Sequence, residues 1–91
     1  MKGIKAMSGR LNQHLVQAIA DIAIFLEFTG EELLDQDASI EAMEQLAMEL
    51  QLMDKQDRDD LSRQLKDIGL RHEDQRKATF LQALPEAFGL N

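Results

Sequence analysis

Cysteine is absent from all 91 residues, tryptophan and tyrosine are absent with it, and proline occurs once. Without a thiol there is no disulfide framework, no thiolate metal site and no cysteine nucleophile, and the natural home of such a chain is a reducing cytoplasm. The four aromatic residues are all Phe, so a core has to be built from Leu, Ile, Ala and Met. Glycines stand singly at positions 3, 9, 30, 69 and 89, and none opens a phosphate-cradling turn. Nucleotide binding therefore has no motif. Repeats, low-complexity runs and strand-type alternation are missing as well.

What is present fits one small domain. A chain of this length closes a single core, and an apolar fraction of 44% is that of a globular protein. The net charge of −7 is unevenly placed: residues 1–20 hold three basic and no acidic groups, 21–60 hold thirteen acidic and two basic, and 61–91 hold four acidic and five basic. The acidic middle repels phosphate backbones and attracts a basic partner, so the expected partner is a protein and not a nucleic acid. Lys2, Lys5 and Arg10 ahead of Leu15 to Phe28 imitate a secretory signal. Gln17 and Asp21 interrupt that stretch, no small-residue cleavage site follows, and it is too short to span a bilayer, so it reads as a buried helix with no membrane role.

The spacing of apolar residues predicts an all-α fold, a compact bundle of three or four antiparallel helices, with residues 1–9 a flexible N-terminal segment and 10–91 a single helical domain. Leu11, Leu15, Ile19, Ile22 and Leu26 mark a first helix over about 10–28, with Ser8 or Asn12 as N-cap and Gly30 as its stop; its second half is apolar nearly all round. Asp37 is positioned to cap a second helix from Ala38 to Met53 with Met43, Leu46, Ala47, Leu50 and Met53 inward. Asp54 would cap a third, with Leu61, Leu65 and Ile68 inward and ion pairs Asp54/Arg58, Asp59/Arg63 and Asp67/Arg71 outside. Gly69 either ends or loosens this helix before a fourth stripe of Ala78, Leu81 and Leu84, which Pro85 closes, and Phe88 and Leu90 should dock somewhere. The expected core is Leu15, Ile19, Ile22, Leu26, Leu46, Leu50, Leu61, Leu65 and Leu81.

Chemistry-bearing patterns are sparse. His14 and His72 have no carboxylate, serine or histidine arranged around them, and surface or capping roles suit both. Asp35, Asp37 and Ser39 begin like a calcium loop, but Ile40 stands where glycine is required and Leu46 where the twelfth-position glutamate belongs. Asp37-Ala38-Ser39-Ile40 resembles the prosthetic-group serine of acyl carrier proteins, although those place Asp directly before the serine. The expectation is a non-enzymatic chain with no catalytic residue, metal or cofactor.

Ile24-Phe25-Leu26-Glu27-Phe28 leading to an acidic turn, then Asp37 to Leu52, then Phe80-Leu81-Gln82-Ala83-Leu84-Pro85-Glu86-Ala87-Phe88-Gly89-Leu90, looks like the small acidic helical proteins encoded beside bacterial secreted toxins. That resemblance covers most of the chain and implies a cytoplasmic immunity protein, which binds a basic toxin domain and occludes its active site. On the second helix, Met48 and Leu52 interrupt an acidic arc of Glu41 and Glu44 one turn apart, giving an apolar strip in an acidic rim. Extended by Glu31, Glu32 and Asp35, this is the candidate partner-binding face. The alternatives are that the C-terminal tail covers Met48 and Leu52; that Ile24, Phe28, Met48 and Leu52 join two copies in a structural homodimer or adaptor; or that the chain is acyl-carrier-like, with a phosphopantetheine prosthetic group on Ser39.

Overall fold

The computed structural model describes residues 11–90, which form α1 (Gln13–Phe28), α2 (Gln36–Gln51), α3 (Lys55–Arg71) and α4 (Gln75–Ala87), with no strand among the described residues. This is the all-α architecture that the apolar spacing predicts. The N-terminal segment 1–9, with the alternative cap Ser8, lies outside the described residues.

Each boundary has a local cause. Asn12 caps α1, its side chain accepting the N–H groups of His14 and Leu15, and Thr29 leaves the helix in extended conformation ahead of Gly30. Asp35, not Asp37, caps α2 by accepting the Ala38 N–H at 3.0 Å, so this helix starts and ends two residues earlier than expected. Both aspartates precede a helix-forming run; the difference is that Asp35 is extended and can turn its carboxylate back onto the first turn. Gly69 lies inside α3, and α3 and α4 are separate helices. The His72–Asp74 connector turns the chain through the Asp74 cap on Lys77 and an Asp74 N–H donated to His72 Nδ1.

Pro85 does not close α4, which continues to Ala87. Only one helical N–H is lost there, and the end is closed two residues later. Gly89, at φ +72°, donates to Glu86 O while Leu90 donates to Pro85 O, the paired bonds of a left-handed helix stop. Leu90 thereby folds back and is buried with Pro85 and Phe88. The C-terminal Pro85-Glu86-Ala87-Phe88-Gly89-Leu90 is therefore a structural device: it terminates a helix and supplies core. Gln51 Nε2 donates to Phe88 O at 2.7 Å, tying the end of α2 to it.

α3 and α4 pack along each other more extensively than any other pair, and Leu61, Leu65, Leu81 and Leu84 between them are essentially inaccessible. Each such burial contributes about 1.5–3 kcal/mol before conformational entropy is charged against it. Gly69 lets the pair approach closely, since a Cβ there would lie 3.0 Å from Ala78 O and 2.9 Å from Gln82 Cγ. α1 lies on α3 and α2 on α1, whereas α2 and α3, joined by only three residues, share little surface.

The core differs from expectation on α1. Leu50, Leu61, Leu65 and Leu81 are buried and Ile19, Leu26 and Leu46 half-buried, but Leu15 and Ile22 are exposed; Val16, Ala20 and Ala23 face inward instead. A helix apolar nearly all round does not mark its own inner side, and here the small residues take it because they admit the close approach of α1 to the rest of the bundle. The expected ion pairs also differ. Lys55 pairs with Asp59, and Arg63 with Asp60 and, at 3.8 Å, Asp67; Arg58 and Arg71 donate to backbone carbonyls. Exposed charges three and four residues apart offer several near-equivalent partners, and local geometry chooses among them.

One long-range contact fastens α1 to α3. Asp60, buried, accepts the Leu11 N–H at 2.6 Å, the Gln64 amide at 2.8 Å and the Arg63 guanidinium, while Gln64 also donates to Leu11 O. Burial alone would push the Asp60 carboxyl up, but the Leu11, Gln64 and Arg63 donors outweigh it and hold the group below the ordinary carboxylate range.

Candidate partner-binding surface

α2 buries Ser39 and Leu50 and half-buries Met43, Leu46 and Ala47. Helical geometry then puts Glu41, Glu44, Met48 and Leu52 on the opposite side, facing solvent one turn apart. Met48 is 64% exposed and Leu52 80% exposed. The C-terminal tail does not cover them, because Phe88 and Leu90 turn into the core. An apolar strip within an acidic arc is thus accessible.

The connector residues divide by role. Asp35 is committed to capping α2. Glu32 folds back over the turn, with Oε1 so near Gly30 that a Cβ there would lie 2.8 Å from it. Glu31 and Glu44 line a groove of about 510 Å³ between the end of α1 and the start of α2, whose floor is Leu26, Leu34, Ile40 and Met43. At one side Arg76 sits 5.3 Å from the Phe28 ring, which itself meets Phe80 edge-on at 5.5 Å. Among the described residues Glu31, Glu32, Glu41 and Glu44 make no ion pair or side-chain hydrogen bond, so their charge faces outward unneutralised.

The groove floor is absent from the sequence-based site. Its one legible signal is Ile40, an apolar residue outside the α2 inner stripe and half-exposed in the fold; the approach of Leu26 and Leu34 depends on tertiary packing. A larger cavity of about 710 Å³ lies between the start of α1 and α3, lined by His14, Gln17, Arg63, Asp67 and Arg71. Leu11 and Ile68 are its only large apolar lining residues, and Arg63 within it is paired with Asp60 and Asp67.

Ser39 is largely buried in the first turn of α2, on the wall of the groove beside Ile40 and Met43. His72 has a capping role and His14 is exposed. Among the described residues no group of three or more His, Asp or Glu is placed to hold a metal ion, and no helix is long and apolar enough to cross a membrane. Comparison of the chain with family models, curated proteins and solved structures gives no match.

Proposed function

We propose that this chain is a protein-binding inhibitor of the immunity type, which neutralises a basic bacterial toxin domain by laying the acidic side of α2 and its preceding turn across the toxin's working surface. The observation that carries the reading is the outer side of α2, where Met48 and Leu52 stand exposed among carboxylates that form no ion pair with another described residue. An apolar centre supplies burial on contact, while the surrounding charge supplies steering and register. The groove beside Glu31 and Glu44 adds a recess for an anchoring side chain of the partner.

The reading requires a toxin encoded beside this chain; where the neighbouring gene encodes a large secreted protein, the test is co-expression of its C-terminal domain with and without the chain. Wild type should restore growth. A Met48→Lys/Leu52→Lys variant should melt at nearly the same temperature and fail to protect, because neither side chain lies in the core. Protection by that variant would move the binding face elsewhere, and no protection by wild type would remove the inhibitor reading. Association with the purified toxin domain should slow as salt is raised, since exposed charges are screened beyond about 8–10 Å near physiological ionic strength.

A further inference from the structure

α1 carries an apolar surface that no other described residue covers. With Val16, Ala20 and Ala23 turned inward, the opposite side presents Leu15, Ala18, Ile22 and Phe25, all exposed, the three large ones at 65%, 51% and 56%. Steps of three, four and three residues align them in one stripe, the spacing of the seam between two packed helices. No ionisable side chain lies within it; His14 and Asp21 border it on one side and half-buried Ile19 and Leu26 on the other.

We infer that this stripe is the contact surface for a second copy of the chain. Its spacing is self-complementary: laid on its own image in reverse, Ala18 falls opposite Ile22 and Leu15 opposite Phe25, so bulk is shared between layers. Its composition suits a like-charged copy, because the acids stay outside the stripe and none has to be desolvated within it when two chains of net charge −7 meet. Its area sets the strength. The stripe and its flanks offer roughly 400–500 Å² per copy, against roughly 800 Å² per partner in a standard stable interface, which suits a weak, concentration-dependent dimer and not an obligate one.

This is a different surface from the Ile24, Phe28, Met48 and Leu52 set that the sequence suggested for a homodimer. Ile24 and Phe28 are half-buried, Phe28 against Phe80, so they do not form one open face with the outer side of α2. None of Glu31, Glu41, Glu44, Met48 or Leu52 belongs to the α1 stripe, so a dimer keeps two copies of the acidic face available.

The test is sedimentation of the full chain from low-micromolar to near-millimolar concentration, at low and high salt. A reversible monomer–dimer equilibrium is expected, with dimer increasing as salt screens the repulsion between copies. Ile22→Lys should weaken it about tenfold or more in Kd, a size typical of a residue central to a small interface. Ala18→Arg, at an exposed small residue, is the second variant should Ile22→Lys lose helicity. The Met48→Lys/Leu52→Lys variant should dimerise as wild type does. A monomer throughout the range, a dimer indifferent to the stripe variants, or one that weakens with salt would overturn the inference. Failure here is distinguishable from failure of the inhibitor reading, because Ile22→Lys should still protect against the toxin.

Discussion

The two halves of this molecule use their apolar residues in opposite ways. In α3, α4 and the C-terminal turn, Leu61, Leu65, Leu81, Leu84, Phe88 and Leu90 are all buried, and Leu70 is the one large apolar residue left exposed among the described residues there. In α1 and α2, Leu15, Ile22, Phe25, Ile40, Met48 and Leu52 face solvent, while the inward positions of α1 are held by Val16 and two alanines. Stability is thus concentrated in the second half, and the first half, attached through small residues and the Asp60 clamp, is left with surface to offer. Domains of this size have little apolar area to spare. Leaving so much of it exposed on two adjacent helices is the observation on which the proposed recognition role rests.

The comparison breaks first on truncations. Leu65→Ala should cost about 2–5 kcal/mol, since the site is fully buried between packed helices and collapses only in part. Ile22→Ala, measured by urea denaturation at a concentration low enough for the monomer, should change stability by only about 0.5 kcal/mol or less. Equal losses would mean that the outer side of α1 is already covered in the monomer, and the division between the halves would fall.

The same division explains what the sequence made legible. In α3 and α4 the large apolar residues other than Leu70 gather on the inner side of each helix, so Leu61, Leu65 and Leu81 could be picked out as core, and the docking of Phe88 and Leu90 followed from two large apolar groups in a short tail. In α1 that contrast is missing. The large residues drew the core assignment, and only packing shows that Val16, Ala20 and Ala23 hold it. The outer strip of α2 was readable because Met48 and Leu52 interrupt an otherwise acidic arc. The groove floor and the Asp60 clamp were not, because they join residues far apart in sequence: Asp60 meets Leu11 across 49 positions.

A sharper test within the dense half concerns Gly69, where the sequence left open whether the residue ends α3 or loosens it. In an isolated helix Gly→Ala stabilises by up to about 1 kcal/mol, so a position serving only as a weak point in the helix should gain. In the fold a Cβ would lie 3.0 Å from Ala78 O, a backbone atom of α4 that cannot swing aside, besides crowding Gln82. Gly69→Ala should therefore destabilise by about 1–3 kcal/mol, as overpacking does, through separation of α3 from α4. The sign of the change in urea midpoint decides between the two accounts.

A more modest loss than at Leu65 or Gly69 is expected at the junction of the halves, and it is distinguished by its pH dependence. Asp60 is held below the ordinary carboxylate range in the folded chain, so its contribution to stability is present above that range and is lost as pH falls through the folded value. Asp60→Asn keeps the shape and one acceptor oxygen but removes the charge to which the Leu11 N–H, the Gln64 amide and Arg63 donate. At neutral pH the variant should be less stable by about 1–2 kcal/mol, the scale of a hydrogen bond to an ionised group partly retained as a neutral one. On acidification wild type should lose this advantage while Asp60→Asn has none to lose, so the two unfolding midpoints should converge at acid pH. The other carboxylates titrate in both proteins and cancel in the difference. A gap that stays constant with pH would mean that the clamp works through shape and neutral hydrogen bonding alone, and that charge is not what fastens α1 to α3.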